Sequence, residues 1–572
     1  MESGYEDQLF GPEAPNWADP SGDGRAELVK GNRRRKVWRV QLDELAVFVK
    51  RYEAGGVLRR GKWLFRSSPA AVEFENHRQV SAAGLGCPKG LAFAQKGPRG
   101  MGGASILITA AVSPAEPLDL YLNEHGVDDE LVSLLAEFVG RTHRSGLAHP
   151  DPHMGNFLVG VDSAGQRALF LTDLQKLHRI LLARENKNGS QGIRGGTNEP
   201  ADVLTGAARR NVAKCYGAIS YFMNGRQKKQ FLTDYLAVVA ADRIPPETAV
   251  QEMLSEIEGI AWKASLHRWA KRDKQCRRNN KYFARIRLRG HWRGSVLLAR
   301  RQPLHDSVAS ASRFTAEQWR ETLANPLDLF SDPGLEQVKD SASSLVVRRR
   351  LEVGGIWLEV YCKLARLRPE AIMRLKPLWG SFRASRAQRA YERGFALLNR
   401  RIPAVLPLAW LDKQVGPYRR VAVLITEALP ETVNLEEFLK ERGHRGGDFP
   451  NHELLKDLAE MTAELAGSLI RHGFIHGDFQ PRNILLQQLD RKRRLVLTDL
   501  DTIGHIEPAT MRDRLRLPMR MHLATKDWPN LNRTVRLRFL LRYLRTICVP
   551  KDQWKSYWQE TYTWTDRKKP GE

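Results

Sequence analysis

The sequence predicts an α+β chain in which one domain is repeated in tandem. Two observations carry that expectation. The stretch SGLAHPDPHMGNFLV at 145–159 returns as HGFIHGDFQPRNILL at 472–486. Each is followed by an apolar run ending in aspartate, LFLTDLQKL and then LVLTDLDTI, which places Asp173 and Asp499 22 and 21 residues beyond Asp151 and Asp478. A repeat of this kind fixes the domain organisation before any single element is assigned.

The remaining elements recur in the same order. AVFVKRY puts Lys50 at the end of a strand-like run, and IWLEVYCK does the same for Lys363. Helical segments follow, AAVEFENHRQVSAAGL and RAQRAYERGFALLNRRI, with Glu75 and Glu392 each ten residues before Leu85 and Ile402. Next come the strands SILITAAV and AVLITEAL, in which Thr109 and Thr426 hold equivalent places. Leu131, Leu134, Leu135 and Phe138 then form an apolar helical face, as do Leu454, Leu458, Met461, Leu465 and Leu469. Gly146 and Gly473 are helix stop signals directly before the two polar stretches. Late in each copy QFLTDYL (230–236) is echoed by RFLLRYL (538–544).

The expected division is an N-terminal tail over 1–27, a first domain over 28–265, a basic connector over 266–309 and a second domain over 310–572. The connector is assigned because KRDKQCRRNNKYFARIRLRGHWRG is intensely basic and lacks clean periodicity. A Gly-rich stretch at 185–200 has no counterpart in the second copy, and its composition predicts mobility.

Composition narrows the function classes. An apolar content of 42% with 27% charged residues is that of a globular protein rather than a disordered one. The formal net charge of +26 favours polyanionic partners, phosphorylated lipid headgroups or nucleic acid. Five scattered cysteines without a CxxC pair disfavour disulfides and a zinc site and fit a reducing compartment. The acidic N-terminus has no signal-peptide core, and no stretch approaches the about 20 apolar residues of a membrane span. The expectation is a cytoplasmic protein, able to attach to the inner face of the cytoplasmic membrane.

The recurring residues suit phosphoryl transfer from a nucleotide. That reaction needs a cation on the phosphates, oxygen ligands for metal ions, and a base for the acceptor hydroxyl. Lys50 and Lys363, oriented by Glu75 and Glu392, would serve the α- and β-phosphates. Glu73 competes with Glu75 for this role, and alignment of the two copies favours Glu75. Asp151 and Asp478 would be the catalytic bases. Asn156 with Asp173, and Asn483 with Asp499, would hold the metal. His149 and His476 would brace the loops.

This series, Lys, Glu, HxDxxxxN and a strand-borne Asp, resembles the protein-kinase-like fold. The wording VWRVQL, VFVKRY and SGLAHPDPHMGNFLV is similar to the Kdo/WaaP lipopolysaccharide kinase family, in tandem over roughly residues 30–240 and 340–545. The resemblance implies two protein-kinase-like domains, each with a small β-rich N-lobe and a larger helical C-lobe, ATP and Mg²⁺ as cofactors, and transfer of phosphate to a sugar hydroxyl of an anionic glycolipid, the inner core of lipopolysaccharide. Neither copy has a GxGxxG loop before its lysine, and DLQ and DLD stand where protein kinases have DFG. No APE motif follows, which argues against a protein kinase switched by phosphorylation of an activation loop. Two further readings stay open: a phosphotransferase with a soluble acceptor, and a non-catalytic nucleotide-binding scaffold or nucleic-acid binder using the arginines at 271–293.

Overall fold

The structure is a computed structural model that describes residues 5–567 except 33, 44, 54–66, 97–103, 181–203, 241–245, 301–306, 333–334, 367–383, 417–418, 445–451, 490–491, 507–509 and 529–530. The Gly-rich stretch at 185–200 lies outside the described residues. The chain divides into two units, Met1–Leu266 and His267–Glu572.

In the first unit, β1 (Ala26–Gly31), β2 (Arg35–Leu42), β3 (Leu45–Glu53), β4 (Gly90–Gln95) and β5 (Ala104–Ala110) form an antiparallel sheet in the order β1-β2-β3-β5-β4. Alternation decides its two faces. Trp38, Val40, Val47 and Val49 are buried on one face together with Leu9, while Lys50 pairs with Val37 and Leu107 on the other. Helix α1 (Pro69–Ala82) follows β3 and is capped by Ser68, whose hydroxyl accepts the Ala71 amide, worth about 1 kcal/mol.

The helical lobe is built on α2 (Asp129–Arg144), whose buried Leu131, Leu135 and Phe138 realise the expected apolar face. Strands β6 (Phe157–Val161) and β7 (Arg167–Leu171) follow as a hairpin, then α3 (Gly206–Ile219), α4 (Gly225–Val239) and the long α5 (Glu247–Asp273), inside which the division between units falls.

The second unit repeats the plan with a larger sheet. Strands β8 (Phe283–Leu288), β9 (Trp292–Leu297), β10 (Glu336–Ser341), β11 (Ser344–Val353), β12 (Ile356–Ala365), β13 (Pro407–Gly416) and β14 (Arg419–Glu427) lie in the order β8-β9-β13-β14-β12-β11-β10. Helix α6 (Arg386–Asn399) corresponds to α1, and α7 (His452–Arg471) to α2. A hairpin of β15 (Ile484–Leu489) and β16 (Lys492–Leu497) precedes α8 (Met511–Thr525) and α9 (Arg533–Thr546). Register supports the internal alignment: Thr109 lies opposite Phe48 and Thr426 opposite Tyr361, each two residues before its lysine. The late echo also holds, since Leu232, Tyr235 and Leu236 of α4 and Leu540, Tyr543 and Leu544 of α9 are all buried.

Two expected boundaries are corrected. The tail over 1–27 is part of the first unit: Leu9 is fully buried against the sheet, and the Trp17 indole donates to its carbonyl at 2.6 Å. The segment 266–309 is no connector. After the end of α5 it forms β8 and β9, which extend the second sheet through pairing of β9 with β13. The reason is an alternation hidden by arginines: Phe283, Ala284 and Ile286 are buried while Arg285 and Arg287 face outward, and Gly290 takes φ +69° at the turn.

Candidate active site

Both polar stretches are set by the same backbone device. Gly146 and Gly473 end α2 and α7 with φ of +72° and +74°, a conformation in which a side chain is strained. Their carbonyls then accept the amides of Ile180 and Ile506 at 2.8 and 2.9 Å, which ties each loop to the segment beyond its strand-end aspartate.

His149 Nε2 donates to the Asp173 carbonyl at 3.1 Å, and its Nδ1 accepts the Asp151 amide at 3.3 Å. His476 does the same between the Thr498 carbonyl at 2.9 Å and the Asp478 amide at 3.2 Å. Burial lowers the pKa of both imidazoles, which suits a ring that must accept with one nitrogen. In the first unit a further layer supports the loop: Asn211 donates to the His149 carbonyl at 2.7 Å and is itself held by His143 at 2.9 Å.

Asn156 and Asn483 each donate Nδ2 to the carbonyl of their loop aspartate, Asp151 at 2.9 Å and Asp478 at 2.7 Å. Their side-chain carbonyls are the groups they can offer a cation. The Asn156 and Asn483 backbone carbonyls accept the amides of Thr172 and Thr498 at 2.8 and 3.0 Å, which brings each asparagine beside the strand-end aspartate. Asp173 and Asp499 both adopt the left-handed conformation, φ +58° and +51°, directly after their strands. Each unit thus assembles a carboxylate and an amide carbonyl, an oxygen-only donor set that fits a hard cation such as Mg²⁺.

The lysines are wired differently. Lys50 donates to Glu73 at 2.6 Å, not to Glu75. Glu73 is fully buried and also accepts from the Tyr52 hydroxyl. Burial works to raise its pKa, but the charge of Lys50 and the hydrogen bonds from Lys50 and Tyr52, with His77 3.9 Å away, overcome this and hold it at about 2. Glu75 points outward beside Arg78 at 3.6 Å, so its assignment is corrected. The buried side of α1 is Ala70, Glu73, Phe74, His77 and Val80, and two residues along a helix is a turn of about 200°. Arg35 donates to Asp173 at 2.7 Å, which holds that carboxylate's pKa down against the effect of burial.

In the second unit Lys363 donates to Asp499 at 2.5 Å and lies 3.4 Å from Asp501. Glu392 is not beside it. That carboxylate instead accepts from Arg277 at 2.7 Å and Gln388 at 2.9 Å, so its pairing with Lys363 is also corrected. The helix caps explain why: Ser68 corresponds to Ser385, hence Glu75 to Glu392 and Glu73 to Ala390. The internal alignment paired the right positions and chose the one turned away from the lysine. Burial and the Asp499 charge raise the Asp501 pKa, whereas Lys363 lowers that of Asp499 despite burial.

The two candidate bases differ as well. The Asp151 side chain is 77% exposed, with His153 at 3.9 Å. Asp478 is 30% exposed and is contacted by Gln480, Asn483 at 2.8 Å, Arg482 at 3.2 Å and Arg520 at 3.9 Å. Sequence reasoning missed Arg35, Asp501, Arg482 and Arg520. Asp501 had a visible signal, the second acid of DLD.

Fold and site together define a tandem kinase-like protein. The family profile described as the lipopolysaccharide kinase (Kdo/WaaP) family matches residues 25–190 and 376–536, more than half of the chain in two blocks, and the chain belongs to that family. Two curated relatives, both 3-deoxy-D-manno-octulosonic acid kinases of Vibrio vulnificus (strains YJ016 and CMCP6), are 26% and 25% identical over 152 residues. Those matches cover 25% of this chain and 62% of each relative. Among solved structures, WaaP in complex with acyl carrier protein is 21% identical with a TM-score of 0.33, covering 44% of this chain and 95% of that one.

Proposed function

We propose that this protein transfers the γ-phosphate of ATP to a sugar hydroxyl of an anionic glycolipid, the inner core of lipopolysaccharide. The observation that carries the reaction type is the loop present in both units: a histidine-braced aspartate and an asparagine five residues on, held against a strand-end aspartate, with a lysine on the facing sheet. In that arrangement the loop aspartate, Asp151 or Asp478, accepts the acceptor's hydroxyl proton as the new O–P bond forms, and the bond from phosphorus to the ADP oxygen breaks. Lys50 and Lys363 neutralise phosphate charge. Asn156 with Asp173, and Asn483 with Asp499, would hold Mg²⁺, which supplies charge neutralisation on the phosphates when bound.

The acceptor class rests on family membership and on charge. A net +26 draws the protein to anionic surfaces and disfavours a cationic acceptor. Peripheral attachment at the cytoplasmic face of the membrane rests on that charge; among the described residues no helix is long and apolar enough to cross a membrane.

The test is transfer from labelled ATP, with Mg²⁺, into a lipopolysaccharide-rich membrane extract by wild type, Asp151→Asn, Asp478→Asn and the double variant. Labelled glycolipid that disappears in the double variant is the expected result. Label only in soluble material points to a soluble acceptor, and bound ATP with no transfer to any acceptor points to a scaffold.

A further inference from the structure

The two units solve the anchoring of the phosphate lysine with different carboxylates. In the first, the anchor is Glu73 on α1, 2.6 Å from Lys50, and Asp173 at the strand end is matched separately by Arg35. In the second, the α1 position is Ala390, fully buried and without charge. The Arg35 position is also lost. Arg35 faces Tyr52 across the sheet, two residues after Lys50; the residue facing Ala365, two after Lys363, is Ser344. Conversely, the first unit has Gln175 where the second has Asp501, each two residues after its left-handed aspartate.

The second carboxylate beside the lysine thus sits on the helix in the first unit and at the strand end in the second. Among the described residues, two cations face two carboxylates in the first cluster, and one cation faces two carboxylates in the second. Gly394 of α6 packs closely against Pro407 and Leu500, where an added Cβ would lie 2.5 Å from the Pro407 ring and 2.8 Å from the Leu500 side chain, next in sequence to Asp501.

We propose that Asp501 is the positioning residue of the second nucleotide site, replacing the absent helix glutamate as the permanent anchor of Lys363. Asp499 would also serve as a metal ligand; with that carboxylate so engaged, Asp501 would remain as the partner that holds Lys363 toward the phosphates. This rests on the proposed nucleotide chemistry of the site but not on the acceptor.

The experiment is binding of a fluorescent ATP analogue with Mg²⁺ to the full chain, in an Asp173→Asn background that silences the first site. Asp501→Asn is expected to weaken binding about tenfold or more, and adding Ala390→Glu to bring it back to within a few-fold, because a helix carboxylate again faces the lysine. The reciprocal exchange covers the case in which Glu cannot fit at 390. In an Asp499→Asn background, Glu73→Gln should weaken binding at the first site and Gln175→Asp should recover it. Native hydrogen-exchange protection of α6 and α1 verifies folding of each variant. Unchanged affinity in Asp501→Asn overturns the proposal, as does an absence of nucleotide binding in the Asp173→Asn background. Intact binding with no glycolipid labelling overturns the proposed acceptor and leaves Asp501 in this role.

Discussion

Comparing the two clusters at Lys50 and Lys363 separates what a fold preserves from what it lets vary. The backbone landmarks agree closely: left-handed Asp173 and Asp499, glycine stops at 146 and 473, and histidine braces at 149 and 476. The charges that the backbone carries do not agree. Lys50 is held by a helix carboxylate, Lys363 by strand-end carboxylates, and among the described residues only the first unit sets an arginine on its strand-end aspartate. Backbone geometry is maintained by many cooperating hydrogen bonds, while the wiring of charge depends on a few side chains, so the same backbone can carry two different charge arrangements.

The largest effect expected from this comparison is on turnover. The first unit has its lysine already placed and its base open to an acceptor, whereas Lys363 lies on Asp499 and Asp478 is engaged by four side chains. Asp151→Asn should lower phosphate transfer at least about 100-fold, and Asp478→Asn should lower it less. The reverse order would assign turnover to the second unit and break the comparison as drawn.

Next in size is stability. Glu73→Ala removes one partner of a buried ion pair and should cost the first unit about 3 kcal/mol, while Glu75→Ala should change stability by less than about 0.5 kcal/mol. Denaturant melts of the two variants check this, and equal effects would refute the assignment of Glu73.

A pH dependence follows from the same residue. Glu73 has its pKa depressed from 4.5 to about 2, so its contribution is fully present above about pH 4.5 and is lost as pH falls toward 2, up to about 3 kcal/mol. The second unit has Ala390 there and lacks this loss. Hydrogen exchange of 35–52 compared with 344–365, between pH 6 and 3, should show the first segment loosening further.

The smallest effect is expected at Glu392, whose partner Arg277 is 60% exposed. Glu392→Ala should cost less than about 1 kcal/mol, and nucleotide affinity should be unchanged. A marked loss of affinity would restore Glu392 to the lysine's side.

The duplication, the two-lobed order and the loop residues were legible in the sequence because each lies within a contiguous stretch whose chemistry is local. HxDxxxxN fixes its own hydrogen bonds within eight residues, and a strand that ends in aspartate announces itself by its apolar run. Helix phase was not legible at α1. Its buried side carries Glu73 and His77 among Ala70, Phe74 and Val80, so apolar periodicity gave no reason to prefer Glu73 over Glu75. The basic stretch before 309 hid a strand pair for a related reason: outward arginines dominate its composition, while the inward residues that place it in the sheet are few.

By itself, then, the sequence determined that one kinase-like domain occurs twice and which loop residues each copy presents. Only the tertiary structure decided which carboxylate each lysine meets. That choice depends on how a helix and a strand-end turn pack against the sheet, over separations of 23 residues for Lys50 and Glu73 and 138 for Lys363 and Asp501. Local propensity carries no information over such distances; packing of buried faces does.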